Sequence, residues 1–157
     1  MLSKTHIAFG ILAGVIALPL VNFPSISHYV VYFGLITFGV LLPDIDHPNS
    51  KLNNNLPIFK IIPLFFKHRG FFHSIFPPII LGLLIWKYVG FFISLPLFTG
   101  YLAHLISDAL TINGINFFHP LFQFKIAGPV RTGNWLEAII FYFVLAGIVF
   151  RVYTLLN

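Results

Sequence analysis

The fold of this chain is decided by one apolar run, FFISLPLFTGYLAHLISDAL, at residues 91–110. A transmembrane helix needs about 20 consecutive, mostly apolar residues to cross the hydrocarbon core of a bilayer. This run meets that requirement, and it ends with two polar residues, His104 and Asp108, set among apolar neighbours. It therefore predicts a membrane helix that carries an imidazole and a carboxylate to one of its ends.

The composition extends this interpretation to the whole chain. Of its residues 58% are hydrophobic and only 8% are charged, whereas a globular domain is about 45–50% apolar and about 25% charged. A length of 157 residues suits one domain, so we predict a single membrane-embedded domain over residues 1–157. The absence of cysteine excludes disulfides, thiolate metal sites and cysteine nucleophiles.

Apolar runs predict five helices, which makes the fold class an all-α integral membrane bundle. The first three runs are shorter than a full span requires, and we expect the first to be retained rather than cleaved as a signal peptide. Residues 58–66 are typical of a short helix in the membrane interface, and Ser74 is the predicted N-cap of the third helix. The five predicted helices cover residues 7–21, 29–42, 74–88, 91–110 and 135–155.

The basic residues predict the orientation of the bundle. Cytoplasmic segments of membrane proteins are enriched in Lys and Arg. With the N-terminus in the cytoplasm, only Lys87 and Arg151 lie on the far side, so we predict a multi-pass protein of the inner membrane with that topology. The net charge of +5 is then explained by topology and anionic lipid headgroups rather than by nucleic acid. The predicted cytoplasmic side holds Lys4, Lys51, Lys60, Lys67, Arg69, Lys125 and Arg131.

This topology also gathers the ionisable residues on one membrane face. Helix starts and helix ends alternate along the chain, and the polar residues alternate with them. All four acidic residues and six of the seven histidines fall on the cytoplasmic face, and only His28 falls on the other. Ionisable groups at membrane depth are costly and are usually functional, so we expect a site there.

Three short motifs supply the candidate metal ligands. His104 and Asp108 are spaced i, i+4 and share one helical face; as an isolated pair they would favour an intrahelical hydrogen bond. Asp44 and Asp46 follow Pro43, and in an extended turn both would point to the same side. Two carboxylates so close disfavour each other's charge unless a cation lies between them, although an aspartate alone would suit a helix end.

The third motif, His68-Arg69-Gly70-Phe71-Phe72-His73-Ser74, offers two imidazoles and a guanidinium. Gly70 permits a tight turn of the backbone. Arg69 can bind a phosphate or carboxylate through two hydrogen bonds, with a role as a basic membrane anchor as the alternative. His6 stands alone at its helix start, where an interfacial role is the alternative to ligation. The predicted metal ligands are therefore His6, Asp44, Asp46, His68, His73, His104 and Asp108.

The donor set consists of nitrogen and oxygen without sulfur. It favours a divalent transition metal, with zinc first and manganese or iron as alternatives, and it argues against copper(I) or a pure magnesium or calcium site. More than four ligands are present, so two ions about 3.5–4 Å apart that share a carboxylate are an alternative to one. We leave His119 and His28 as structural or interfacial residues.

With these motifs in place, the chain resembles the YdjM-like family of membrane-bound metal-dependent hydrolases. The resemblance rests on His6, on Leu42-Pro43-Asp44-Ile45-Asp46-His47, on His68-Arg69-Gly70 with His73-Ser74, and on Gly100-Tyr101-Leu102-Ala103-His104 with Asp108. It covers nearly the whole chain in order. Phe72 departs from the family pattern, which usually has a threonine there. The family name implies a hydrolase.

We therefore predict a metal-dependent hydrolase that acts on a phosphoester of a lipid or lipid-linked substrate at the cytoplasmic interface. Arg69 would neutralise developing charge, and His47 or Glu137 would hold a ligand or shuttle a proton. For Glu137 a first-turn acid favoured by the helix dipole is the alternative. A metal-ion or solute transporter, whose ionisable groups should lie near the bilayer midplane, and a non-catalytic protein held together by metal are the rival functions.

Overall fold

The computed structural model describes residues 1–48, 50–55, 60–65 and 68–157. Within these ranges the chain is an α-helical bundle with a small two-stranded sheet, so the predicted all-α membrane fold is confirmed. The strands are β1 (Ile115–Asn116) and β2 (Lys125–Ile126). The α-helices are α1 (Ser3–Ala17), α2 (Ile26–Leu41), α3 (Lys51–Asn55), α4 (Ile62–Phe65), α5 (Phe76–Tyr88), α6 (Phe91–Ala109) and α7 (Trp135–Leu156).

In the described part of the chain, four helical stretches are long and apolar enough to cross a membrane. Short 3₁₀ turns lengthen α1 to Leu20 and α2 to Asp46, which removes most of the shortfall predicted for the first two runs. The fifth long helix, α5, has only 13 residues. Its length of about 20 Å is less than the hydrocarbon thickness of about 30 Å. The five predicted runs thus correspond to α1, α2, α5, α6 and α7.

Helix α6 is the centre of the bundle, since it packs against α1, α2 and α5, whereas α7 packs against α1. The contact between α2 and α6 is unusually close because glycine lies on both sides. A Cβ atom at Gly100 would collide with the backbone carbonyl of Ile36, and one at Gly39 would collide with that of Leu97. The middle of α6 is therefore held directly against the last turns of α2.

One local prediction before α5 is wrong. The N-cap of α5 is Ile75, and the Ser74 hydroxyl donates instead to the carbonyl of Phe71, at 2.7 Å, just after the 3₁₀ turn Phe71–His73. The chain turns at residues 68–70, as expected before the third predicted helix, and Arg69 has a left-handed φ of 63°. Residues 58, 59 and 66 of the predicted interface helix at 58–66 lie outside the described residues, and its described part contains α4, Ile62–Phe65.

Candidate metal centre

The structure brings all seven predicted ligands together at one end of the bundle. They come from α1, from the 3₁₀ turn that follows α2, from the segment before α5 and from the last turns of α6. Three groups have ligand atoms within 4.8 Å of one another: His6, His104 and Asp108; Asp44, His73 and His104; and Asp46, His68 and His73. His104 and His73 each belong to two groups, so the three groups form one continuous cluster of candidate metal ligands, which we call the metal cluster.

His104 has a ring orientation that follows from the end of α2. The last four carbonyls of a helix lack intrahelical partners. His104 is fully buried, and its Nδ1 donates to one of these, the carbonyl of Val40, at 2.8 Å. With the proton on Nδ1, the Nε2 atom carries a lone pair, which is the form of histidine that binds metal.

His6 is oriented by a serine that the sequence analysis did not single out. The Ser107 hydroxyl donates to the carbonyl of His104 at 2.8 Å, so its oxygen is left to accept from Nδ1 of His6, at 2.5 Å. The Nε2 atom of His6 then faces Asp108 Oδ1 at 3.5 Å. The rings of His6 and His104 are stacked, with centroids 4.1 Å apart. Ser107 lies three residues after His104, a spacing that could have identified it.

His73 lies between the two carboxylates of the Asp-Ile-Asp motif. Residues Pro43–Asp46 form a 3₁₀ turn and not the extended turn expected. Consequently Asp46 Oδ2 lies 3.2 Å from Nδ1 of His73, while Asp44 Oδ1 lies 3.7 Å from Nε2 on the other edge of the ring. Burial alone would lower the pKa of His73, but the two carboxylates outweigh it and raise the pKa to about 9.

The inner atoms of the cluster fit a metal ion. Among the described residues, the buried Nε2 atoms of His73 and His104 have no hydrogen-bond partner. A buried polar atom without a partner is costly, and a metal ion bound to both nitrogens would remove that cost. Both face Asp44 Oδ1 at 3.7 Å, and both face Asp108 Oδ2, at 3.7 and 3.9 Å respectively.

These separations exceed a hydrogen bond, so the intrahelical bond considered for His104 and Asp108 is not formed. They approach the roughly 3.3 Å between neighbouring ligands around a tetrahedral ion with bonds of about 2.0–2.1 Å.

Asp46 is the most heavily hydrogen-bonded carboxylate of the cluster. Its Oδ1 accepts from Nδ1 of His68 at 2.8 Å, and its Oδ2 accepts from Nδ1 of His73 and from the backbone N–H of Arg69, both at 3.2 Å. Because Asp46 is almost fully buried, these three donors stabilise its charge. The contacts are those of a carboxylate that orients histidines around a metal.

Arg69 links the metal cluster to the connection between α6 and α7. Its Nη2 lies 3.0 Å from Asp108 Oδ2, and its Nη1 donates to the carbonyl of Gly114 at 3.0 Å and to the Thr111 hydroxyl at 3.3 Å. The left-handed backbone at Arg69 is uncommon for a side chain of this size, and it directs the N–H to Asp46. The guanidinium has five N–H groups, so it keeps donors for a ligand.

Glu137 and His47, the proposed proton carriers, lie in different surroundings. Glu137 accepts from the backbone N–H groups of Leu2 and Gly133, each at 2.6 Å, and from the Thr5 hydroxyl at 2.8 Å. These contacts join the starts of α1 and α7. His47 lines the open side of the cluster, with its ring centroid 4.8 Å from that of His68. His47 is therefore the better placed of the two to contact a ligand.

An open cavity of about 270 Å³ lies against the cluster. Asp44 and the buried Asp108 line it, and 32% of the Asp44 side chain is exposed, so the cluster can be reached from outside the bundle at Asp44. Of the remaining histidines, His28 lies in the first turn of α2, where it contacts Ser25 at 2.8 Å, and His119 lies on the connection after α6. Neither joins the metal cluster. The full lining is Met1, Ser3, His6, Leu41, Asp44, His47, Ser50, His68, Arg69 and Asp108.

Comparisons with known proteins match this chain along nearly its whole length. Residues 1–156 match the model of a family described as YdjM inner membrane protein. The uncharacterized protein YvsG of Bacillus subtilis is 33% identical over an alignment of 151 residues, and the alignment spans 94% of this chain and 89% of YvsG. The inner membrane protein YdjM of Escherichia coli is 34% identical over an alignment of 156 residues, and the alignment spans 89% of this chain and 77% of YdjM. No solved structure matches.

Proposed function

The chain belongs to the YdjM inner membrane protein family, and we propose that within the membrane it acts as a metal-dependent hydrolase. Its substrate is a phosphoester of a lipid or a lipid-linked molecule, cleaved at the cytoplasmic interface with the N-terminus of the chain in the cytoplasm. The observation that carries the proposal is the pair of buried, unpartnered Nε2 atoms on His73 and His104, both directed at Asp44 and Asp108.

The metal ligands of the proposal are His6, Asp44, His73, His104 and Asp108, with Asp46 and His68 behind them. Zinc is the first candidate, and manganese or iron would accept the same donors. The two oxygens of Asp108 face different histidines, Oδ1 towards His6 and Oδ2 towards His73 and His104. A carboxylate in this position suits either one ion or two ions that share it.

A bound divalent ion supplies a Lewis acid that polarises a phosphoryl oxygen and lowers the pKa of water. The residues of the chain supply the rest. Arg69 lines the cavity with 20% of its side chain exposed, where it can bind a phosphoryl oxygen and neutralise charge that develops there. His47 lines the same cavity and can accept or return a proton.

Glu137 has a supporting role in this proposal. Three donors already bind its carboxylate, and two of them are backbone N–H groups at helix starts. It fixes the start of α1, and hence His6, against α7. The predicted role as a base is therefore assigned to His47 instead.

The open cavity favours catalysis over the rival functions. A structural metal site is closed by its protein ligands, whereas a catalytic site keeps a position open for water or substrate. Here two ligand carboxylates line a cavity that opens at the end of the bundle. For transport, the ionisable groups would be expected near the bilayer midplane, but those of this chain lie at helix ends.

The test uses the purified full chain. We expect elemental analysis to find one or two transition-metal ions per chain, and a panel of phosphodiesters and phospholipids to include a hydrolysed substrate. His73→Ala and Asp46→Ala should lose metal and activity, while His28→Ala, at a distant histidine, should retain both. Purified protein without a transition metal, or unchanged activity in both variants of the cluster, would contradict the proposal.

A further inference from the structure

A second cavity, of about 440 Å³, adjoins the first. His68 and Arg69 line both, so they form the wall between the two. Because Arg69 also contacts Asp108, a ligand in the second cavity lies one side chain away from the metal cluster. The remaining lining is Phe65, Gly70, Phe71, Asn113, Gly114, Ile115, Asn116, His119, Gln123 and Lys125.

The backbone around this cavity is fixed by close contacts. Asn116 and Lys125 are directly opposite each other in the antiparallel β1–β2 pair, and opposite residues direct their side chains to the same face. Gly114 has a φ of 56°, and a Cβ there would collide with the carbonyl of Ile126. The Arg69 side chain binds the carbonyl of Gly114. The cavity is therefore formed before any ligand binds.

The lining of the second cavity favours an anion. Lys125 and Arg69 supply positive charge, and Asn113, Asn116 and Gln123 supply amide donors. None of the four acidic residues of the chain lines it, since all four belong to the metal cluster or to the start of α7. A phosphate group matches this combination of charge and donors.

Exposed apolar side chains lie at or close in sequence to the lining residues Phe65 and Gln123. On the connection between α2 and α5, Leu64 and Phe65 are 79% and 77% exposed, and on the connection between α6 and α7, Leu121 and Phe122 are 66% and 67% exposed. These four residues lie outside the spanning helices. Exposed apolar side chains next to membrane spans can insert into the boundary between headgroups and acyl chains. We call these four residues the apolar rim.

We infer that the second cavity binds the phosphate-bearing headgroup of an anionic membrane lipid, while the apolar rim contacts its acyl chains. The inference rests on the proposed function, because it takes the metal cluster as the place where such a substrate would be cleaved. Arg69, shared by both cavities, binds the phosphate at the boundary. Lys125 and the neighbouring amides select the headgroup.

The experiment measures binding alone, by native mass spectrometry of the full chain in a neutral detergent, with and without added zinc. The probes are dioctanoyl-phosphatidylglycerol, dioctanoyl-phosphatidylcholine and glycerol 3-phosphate. We expect the anionic lipid to bind more tightly than the zwitterionic one. Lys125→Gln should weaken its binding about tenfold, as expected for the loss of a hydrogen bond to a charged group. The matched control, Lys87→Gln, changes an exposed lysine of α5 and should have no effect.

A second pair of variants distinguishes a lipid from a free phosphate ester. Phe122→Ser should weaken binding of phosphatidylglycerol and leave glycerol 3-phosphate unaffected, whereas Phe143→Ser, on the exposed face of α7, should change neither. Equal binding of the two lipids, or equal effects of the two lysine variants, would overturn the inference. Glycerol 3-phosphate binding as tight as the lipid, with no effect of Phe122→Ser, would replace the lipid with a soluble phosphate ester.

These results are separable from those of the proposed function. If the chain binds phosphatidylglycerol through Lys125 but hydrolyses no substrate, the lipid-binding inference stands and the proposed hydrolase function fails. If the chain hydrolyses phosphodiesters but binds both lipids equally, the proposed hydrolase function stands and the lipid-binding inference fails.

Discussion

The imidazole of His104 donates from Nδ1 to the backbone carbonyl of Val40, 64 residues earlier in the chain, and so directs its Nε2 into the metal cluster. One hydrogen bond thereby satisfies a helix-end carbonyl of α2 and selects the tautomer that binds metal. The contact exists because α2 and α6 pack closely at Gly39 and Gly100. The close packing of α2 against α6 thus also sets the orientation of the His104 ring.

His104→Ala should lower metal affinity more than a substitution of Asp46 or His68, which lie behind the proposed ligands. The substitution removes a ligand that belongs to two of the three groups, so we expect metal affinity to fall by more than about 100-fold, beyond the range typical of residues that only orient ligands. Competition with a chromophoric chelator measures this. His28→Ala, at a histidine outside the cluster, is the control, and equal affinities for the two variants would exclude His104 from the site.

Asp46→Asn should weaken metal binding by only about 10–100-fold, because Asp46 orients His68 and His73. Asp44→Asn removes an inner carboxylate and should cost more. Both substitutions preserve side-chain volume, so the comparison isolates the two roles. A larger loss for Asp46→Asn than for Asp44→Asn in the same chelator assay would make Asp46 a direct ligand.

The sequence predicted the helices and the candidate ligands because both depend on local composition. Long apolar runs specify membrane helices, and histidines and carboxylates are conspicuous where they are rare. It did not predict that Ser107 and the Val40 carbonyl would orient the ligands, because such contacts depend on which helices pack together.

The wrong prediction at Ser74 has a physical cause. That segment is held by distant residues, as when the Tyr101 hydroxyl donates to the carbonyl of Phe72 at 2.7 Å. The local preference for serine at helix starts is overridden by such contacts.

Metal uptake should release a proton from His73. In the metal-free protein its pKa of about 9 keeps the ring protonated at neutral pH, and the metal must displace that proton from Nε2. Metal affinity should therefore rise about tenfold per pH unit from this residue as pH increases towards 9, and the rise should end above that value. Calorimetry in buffers of different ionisation enthalpy counts the protons released. No proton release at pH 7 would mean that His73 is already neutral there.

Gly100→Ala should separate α2 from α6 and weaken the metal site together with the fold. The added Cβ meets the Ile36 carbonyl, a backbone atom that cannot rotate away, and such overpacking costs about 1–3 kcal/mol. Gly34→Ala is the matched control, because a Cβ at this helical glycine has no neighbour within 4 Å. It should be neutral or stabilising by about 0.5–1 kcal/mol. Thermal unfolding in detergent compares them, and equal midpoints would contradict the close helix contact.

Glu137→Gln should lower stability and leave the chemistry of any folded protein nearly intact. The carboxylate accepts from Leu2, Gly133 and Thr5 through both oxygens, whereas an amide has only one acceptor oxygen and would place an NH₂ group against at least one donor. Losing one such charged hydrogen bond costs about 1.5–3 kcal/mol.

Thermal unfolding and turnover per folded molecule separate the two possible roles of Glu137. A lower unfolding midpoint with nearly unchanged turnover is expected, because the carboxylate fixes the starts of α1 and α7. An unchanged midpoint with turnover reduced by 100-fold or more would instead make Glu137 the catalytic base, since general acid–base catalysis contributes about 10²–10⁴-fold.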